Sequence, residues 1–411
     1  MRSKKPMLHI VGIVVLLVGH EASAFGQPNR FELLGSLVFP GNTIDRSSLD
    51  ESSEQTKAHH LFGGFSAMEY MGDDRYLVLP DRGPGDVENE YQCRYHTLLI
   101  KIDPTNSPVV TGALLGTTRL TASSGQPLVG DPSKYSTDAS HESLRFDPEA
   151  IRLLGNDSLV ISDEYGPHVY RFTRDGKKIG EFAVPESYKV DFPSADVALE
   201  ATKNTRGRQA NAGFEGLAVT PGGDKIVAII QKPLIQDSEV LSDGVKRDGV
   251  NCRMVVFNPD GQPVNEFVYT LEKSGLGVSE MLAVDEHQFL VMERDSKSGL
   301  AAKNKQIFLI DTRNASDVSK VESLPTGPID DSQGGDAIRS VSKRLVLDLL
   351  SPESGIGHAS IEEKQECLTF GPTLADGRRT LILGIDNDFD ESSPSVFYVY
   401  AIRPDVFTGL N

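Results

Sequence analysis

The feature that most constrains the fold of this chain is a segment that recurs five times along it. Each copy has apolar third and fifth residues, a tight turn, and then a second run of apolar and β-branched residues. Such runs separated by turn residues predict antiparallel strand pairs. The copies begin at Ser66, Glu149, Glu215, Glu280 and Glu366, so the first residue is acidic in four of the five.

A third strand-forming run follows each pair after a loop of variable length, and in two copies a turn then leads to a fourth run. Four antiparallel strands per repeat make up the blade of a β-propeller. We therefore expect an all-β fold, a β-propeller of four-stranded antiparallel blades. Five blades are countable, a sixth is possible within an insertion, and a β-sandwich is the alternative.

The chain ends shortly after the third strand of the fifth copy. Residues 31–38 have strand composition and are expected to supply the missing outer strand, which would close the ring and remove exposed sheet edges. Loop insertions are expected near residues 117–145 and 325–362, which are rich in Ser, Gly, Pro and charge. In this interpretation residues 25–411 form a single domain.

Residues 1–24 have the pattern of a secretory signal peptide. Two lysines precede an apolar run at residues 8–18, and Ala22-Ser23-Ala24 offers the small residues needed for cleavage. The run is shorter than the ~20 residues that span a bilayer, so we expect no membrane span after cleavage. The protein is expected to be exported to the periplasm or the extracellular space, and an uncleaved membrane anchor is the alternative.

Charge and cysteine content limit the partners. With 41 Lys and Arg against 59 Asp and Glu, the formal net charge of −18 repels nucleic acid, so we expect no nucleic-acid binding. The 3 cysteines are too few for a disulfide framework, although one bridge between Cys93 and Cys252 is possible after export. We expect a monomer that acts on a small-molecule ester or phosphate ester.

The acidic positions should share one end of the propeller. In an antiparallel pair, the first residue of one strand lies beside the last residue of its partner. If the first strand of each blade lines the axis, the opening residue of each copy and the polar residue closing its second run meet at one mouth of the channel. The predicted neighbours are Glu149 with Asp163 and Glu164, Glu215 with Gln231, Glu280 with Glu293, Glu366 with Asp386, and Ser66 with Asp81.

Several carboxylates in one mouth need a compensating positive charge. Two of them about 6 Å apart repel by about 3 kcal/mol at an effective dielectric constant of 20. An oxygen-only ligand set favours Ca²⁺. Internal salt bridges together with protonation of some carboxyls are the alternative. The predicted metal ligands are Glu149, Glu215, Glu280, Glu366 and Asp386.

Residues beside these ligands are candidates for catalysis. Arg82 and Arg294 could hold phosphoryl oxygens, since arginine forks suit such groups, and ion pairing with neighbouring acids is the alternative for both. Asp163 and Glu164 are the candidate catalytic carboxyls. The sequence contains no G-x-S-x-G elbow, P-loop, dinucleotide fingerprint or H-E-x-x-H motif, so the corresponding mechanisms have no support.

Segments in all five copies resemble the phytase-like family described as having "esterase-like activity of phytase". The resemblance runs over most of residues 30–405 and implies an exported bacterial propeller with phosphoesterase or esterase activity, but it brings no agreed catalytic set. Met281 and Cys367 depart from the family pattern, which usually has Gly after the acidic residue. The resembling segments are residues 64–85, 147–172, 213–231, 280–295 and 366–390.

These observations leave three hypotheses for the function. The first is metal-assisted hydrolysis of phosphate esters at the channel mouth. The second is a non-catalytic propeller that presents its loops to a ligand or partner, since a fold alone does not define a function. The third is hydrolysis of lactones or carboxyl esters at the same metal.

Overall fold

The computed structural model describes residues 30–47, 58–85, 90–136, 138, 141–330 and 337–409, and the predicted signal peptide lies outside these ranges. The first part of the chain forms β1 (Phe31–Phe39), β2 (Phe65–Gly72), β3 (Arg75–Pro80), β4 (Arg94–Ile102), β5 (Val110–Arg119), β6 (Pro148–Leu154), β7 (Ser158–Asp163), β8 (His168–Thr173), β9 (Lys178–Glu181) and helix α1 (Val197–Lys203). The second part forms β10 (Phe214–Val219), β11 (Ile226–Ile230), β12 (Glu239–Val240), β13 (Arg247–Asp248), β14 (Asn251–Phe257), β15 (Pro263–Thr270), β16 (Gly277–Ala283), β17 (Gln288–Arg294), β18 (Lys305–Asp311), β19 (Ser342–Asp348), β20 (Lys364–Thr373), β21 (Arg379–Asp386) and β22 (Ser395–Ile402).

Twenty of these strands form five four-stranded antiparallel blades, which confirms the predicted propeller. Blade 1 contains β2 to β5 and blade 2 contains β6 to β9, while blade 3 contains β10, β11, β14 and β15. Blade 4 contains β16 to β19, and blade 5 contains β20 to β22 with β1. The described residues form no sixth four-stranded sheet, because β12 and β13 pair only with each other, as a hairpin in a loop of blade 3.

The inner strands of the blades form a closed ring around the central axis. Strand β2 contacts β6, β6 contacts β10, β10 contacts β16, β16 contacts β20, and β20 contacts β2 again. As predicted, the N-terminal strand completes the last blade: β1 pairs with β22 from Phe31 opposite Ile402 to Phe39 opposite Ser395. The ring is therefore fastened by the two ends of the described chain.

The outer strands were the hardest to identify from the sequence. Strand β19 lies inside the expected insertion at residues 325–362, and β5 runs into the one at residues 117–145. Inner and second strands are buried on both faces and read as apolar runs, whereas most residues of β5 and β19 are partly or fully exposed. A strand on the outside of a blade therefore has no continuous apolar signal.

The three cysteines are free and buried, so the possible Cys93–Cys252 disulfide is not formed. The two residues belong to blades 1 and 3, which are not neighbours in the ring. Instead, the Cys93 thiol donates to the carbonyl oxygen of Phe146 in the segment that leads into blade 2. Among the described residues, no helix combines the length and apolar character needed to cross a bilayer.

The closure by β1 predicts a stability effect. Leu37 is buried in a cluster formed by blades 1 and 5, so Leu37→Ala should lower the free energy of unfolding by about 2–5 kcal/mol. The neighbouring Ser36 is exposed, and Ser36→Ala should have little effect. Urea denaturation compares the two variants, and equal stability would contradict the closure.

Candidate functional site

A β-bulge lies at the same place in all five inner strands, near their first residues. In blade 1, Phe65 pairs with Pro80 but Ala67 pairs with Leu79, so Ser66 is the extra residue. A bulge re-aims the side chain that it contains, and bulges are common beside active sites. The bulge residues of the five blades are Ser66, Glu149, Glu215, Ser279 and Glu366.

The residues that follow or end the second strands form another ring at the same end. In blade 3, for example, the backbone N–H of Gln231 donates to Gly213, directly before β10. The five equivalent residues are Asp81, Glu164, Gln231, Arg294 and Asp386. The predicted carboxylate-rich mouth is therefore present at one end of the propeller, with Glu149, Glu164, Glu215 and Glu366 among the residues that line a cavity of about 130 Å³.

Three cations lie among these acids, each paired with a carboxylate. The Arg82 guanidinium is 2.8 Å from Asp147 and 3.7 Å from Glu164. Arg294 binds Glu366, and the Lys364 ammonium is 2.8 Å from Asp386. Arg82 and Arg294 thus form ion pairs with neighbouring acids, as the alternative predicted. If either arginine binds a substrate, it does so while it is paired with an acid.

One group of carboxylates has the geometry of a cation site. Oxygen atoms of Asp147, Glu149 and Glu164 lie within 4.8 Å of one another, and all three residues are buried. Asp147 is held by Arg82, and Glu164 accepts a hydrogen bond of 3.0 Å from Gln231. In contrast, the Glu149 carboxylate makes no hydrogen bond or ion pair with the described part of the chain. The donor set consists of hard oxygen atoms, which suits Ca²⁺ or Mg²⁺ and not the softer metals.

The crowding changes the acidity of the group. Burial, and then the neighbouring Glu215 carboxylate, raise the pKa of both Glu149 and Glu164 well above the usual range. Burial followed by the charge of Glu366 raises the pKa of Glu215 to about 8. Without an added cation, Glu215 therefore holds its proton near neutral pH.

Glu280 does not join the mouth, which corrects its prediction as a metal ligand. The turn between the first and second strands spans residues 220–225 in blade 3 but only residues 284–287 in blade 4. Because the turn of blade 4 is shorter, the bulge of that blade contains Ser279 and not Glu280. Glu280 pairs with Met292, not with Glu293. Its carboxylate lies 2.7 Å from the guanidinium of Arg152, in the interior of the ring.

Arg152 is a buried residue that links the inner strands of three blades. Its guanidinium donates to the carbonyl oxygens of Met68 in blade 1, Ile151 in blade 2 and Met281 in blade 4. It is fully buried together with Glu280. These hydrogen bonds tie three inner strands together, and the Arg152–Glu280 pair therefore stabilises the ring.

Asp163 and Asp386 lie next to the mouth without lining its cavity. The Asp163 carboxylate accepts the backbone N–H groups of Asp147, at 2.9 Å, and Tyr165, at 3.2 Å. It therefore fixes the backbone of Tyr165, which follows Glu164, and of Asp147, which lies opposite Glu164, and so acts as a positioning residue. Asp386 is held by Lys364 and accepts the backbone N–H of Asp388.

Two functional residues, Asp147 and Lys364, were missed from the sequence. Both occupy the position two residues before the bulge, opposite the residue that follows or ends the second strand, and in the other blades this position is Gly64, Gly213 or Gly277. A side chain at Gly213 would meet the backbone of Glu164 at 2.2 Å, so the position ordinarily has no room for one. A charged residue where three repeats have glycine is the signal that could have identified them.

The raised pKa of Glu215 predicts how stability depends on pH. Between the ordinary value near 4.5 and the folded value of about 8, the folded protein holds a proton that the unfolded chain has lost. Without divalent cations, stability should therefore fall as pH rises from about 5 to 8. Glu215→Gln cannot release this proton and should reduce the fall. Urea denaturation in chelator tests this, and parallel curves for the two proteins would contradict it.

Because Glu149 lies in the mouth and Glu280 in the interior of the ring, their substitution by Gln should have opposite effects on Ca²⁺ binding and on stability. Glu149→Gln should abolish Ca²⁺ binding and leave stability in chelator unchanged or higher, because it removes one of several crowded carboxyls. Glu280→Gln should lower stability by about 1–3 kcal/mol, because Arg152 loses its charged partner, but keep Ca²⁺ affinity. Calorimetric titration and urea denaturation measure both. Loss of Ca²⁺ binding in Glu280→Gln would restore the original prediction.

Comparisons with known proteins find a matching family model and a curated relative. The sequence model of the family "Phytase-like: Esterase-like activity of phytase" matches residues 60–389. A curated relative from the fungus Arthroderma benhamiae, named an uncharacterized secreted protein, is 27% identical over 327 residues. That match covers 62% of this chain and 63% of the relative, so the chain spans less than two thirds of the relative's length.

Two solved structures with a similar course of the backbone have low sequence identity to this chain. The β-propeller domain of Cps50 (Swd1) from Myceliophteria thermophila has 12% identity and a TM-score of 0.36, covering 83% of this chain and 97% of that one. A luciferin-regenerating enzyme has 13% identity and a TM-score of 0.31, covering 85% of this chain and 94% of that one. Likeness at this level carries no argument about function.

Proposed function

Because this chain belongs to the phytase-like family, we propose that it is an exported hydrolase that uses a divalent cation, most suitably Ca²⁺, to cleave phosphate esters at the mouth of the propeller. The observation that carries the proposal is the group formed by Asp147, Glu149 and Glu164. A buried carboxylate is normally compensated by a partner, and Glu149 has none among the described residues. A cation held by the three residues would supply that partner.

When bound, a divalent cation offsets charge on a phosphoryl oxygen and lowers the pKa of a coordinated water. The protein contributes the binding geometry: Asp163 fixes the backbone around Glu164, and Arg82 orients Asp147. Gln231 bridges the cation group and the next acid, donating to Glu164 at 3.0 Å and to Glu215 at 2.9 Å.

Glu215 is the proposed general acid. Its Oε2 atom accepts the hydrogen bond from Gln231, which leaves Oε1 to hold the proton. In the cation-free protein, burial and the charge of Glu366 raise the pKa of this carboxyl to about 8, and the residue lines the cavity, from which it can protonate the departing alcohol oxygen. Arg294, which is paired with Glu366, acts in the opposite direction and lowers the pKa of Glu215, so the raised value is due to burial and the Glu366 carboxylate.

Export is part of the proposal. It is supported by the signal-like pattern of residues 1–24 and by the relative from Arthroderma benhamiae, which is named as secreted. The mouth is small and strongly polar, which suits a small-molecule ester. We propose that the protein acts as a monomer that binds no nucleic acid and has no membrane span after signal cleavage.

Turnover of phytate and aryl phosphates tests the proposal. Metal-stripped protein should be inactive, Ca²⁺ should restore activity, and Glu149→Gln should lower kcat/KM at least 100-fold, because it breaks the cation site. Asp224→Asn is the matched control, since Asp224 is exposed in the turn at the opposite end of blade 3.

Aryl acetates and lactones should be tested in the same assay. Ca²⁺-dependent turnover of these, with none of phosphate esters, would replace the proposal by the carboxyl ester alternative. Ca²⁺ binding without turnover of any ester between pH 4 and 9 would favour a non-catalytic binding propeller.

A further inference from the structure

Ser66 is a buried polar residue that lacks a partner in the mouth. It occupies the bulge of blade 1, is 1% exposed and lies in the wall of the cavity. Its hydroxyl has no hydrogen-bond partner in the described structure. Buried hydroxyl groups are nearly always hydrogen-bonded, so an open one beside a candidate site indicates a group that is supplied from outside the protein.

Asn211 is a second polar side chain in the same cavity wall. It lies in the tight turn between Gln209 and Ala212 that leads into blade 3, with a φ of 50°. Its side-chain amide makes no hydrogen bond within the described residues.

These two residues lie on opposite sides of the cation group. Ser66 belongs to blade 1 and Asn211 leads into blade 3, while Asp147, Glu149 and Glu164 all belong to blade 2 or the segment directly before it. The ring order of the inner strands places blade 2 between the other two. A ligand over the three carboxylates would therefore have a neutral hydrogen-bond donor on each side.

We propose that Ser66 and Asn211 form an oxyanion subsite, donating hydrogen bonds to two oxygens of a tetrahedral phosphoryl group bound at the cation. This rests on the proposed function and names substrate-contacting residues for it. Arg82 and Arg294 are already bound to Asp147 and Glu366, so neutral donors complete the recognition. A phosphoryl group has several oxygens diverging from one atom, so donors on opposite sides of the cation group can each bind a different oxygen.

Calorimetric titration of inorganic phosphate into the Ca²⁺-loaded protein tests the subsite without relying on turnover. Ser66→Ala and Asn211→Gly should each weaken phosphate binding about tenfold or more, because each removes a hydrogen bond to a charged group. Glycine is chosen at Asn211 because it tolerates the left-handed backbone. Ca²⁺ affinity and melting temperature should stay at wild-type values in both variants.

Ser279→Ala is the matched control. Ser279 occupies the equivalent bulge in blade 4, and its hydroxyl is equally buried and unpartnered, but it is not in the wall of the cavity. This variant should bind phosphate as the wild type does. Wild-type phosphate affinity in Ser66→Ala or Asn211→Gly, or equal weakening by all three changes, would overturn the subsite. Absence of phosphate binding by the wild-type Ca²⁺ form would instead overturn the phosphoryl chemistry itself, and the subsite with it.

Discussion

The repulsion between buried carboxylates at one end of the propeller is the constraint on which the rest of this site depends. The repeat brings acids from several blades to one mouth, and burial makes each charge costly. Arg82, Arg294 and Lys364 each neutralise one neighbour, but Glu149 is left without a partner among the described residues. The mouth is therefore preorganised for an added positive charge.

The two sides of the mouth resolve this repulsion differently. On the side of blade 5, the ammonium of Lys364 takes the place of a cation between Asp386 and Asp388. On the side of blade 2, the equivalent position is Asp147, which adds a carboxylate and brings three of them within 4.8 Å. One substitution between repeats thus separates a half in which Lys364 pairs with the acids from a half in which three carboxylates lie together, where we propose the cation.

Much of the fold was predictable because blade formation depends on local patterns. The sequence of strand, turn and strand recurs with the same pattern of apolar and polar residues. The N-terminal strand supplies the outer strand of the last blade. The outer strands β5 and β19 were obscured because their exposed residues carry no apolar run. Glu280 was misplaced because one shorter turn shifts the bulge to Ser279, and such a shift is visible only when the spacing to the second strand is compared.

Anomalous diffraction from crystals of the full chain soaked in Mn²⁺, an oxygen-seeking substitute for Ca²⁺, tests the central claim most directly. A single strong peak within coordination distance of Asp147, Glu149 and Glu164 is the predicted result. A mouth that stays free of metal at saturating concentration, with Glu149 bound instead to water or to a cationic side chain, would contradict the account.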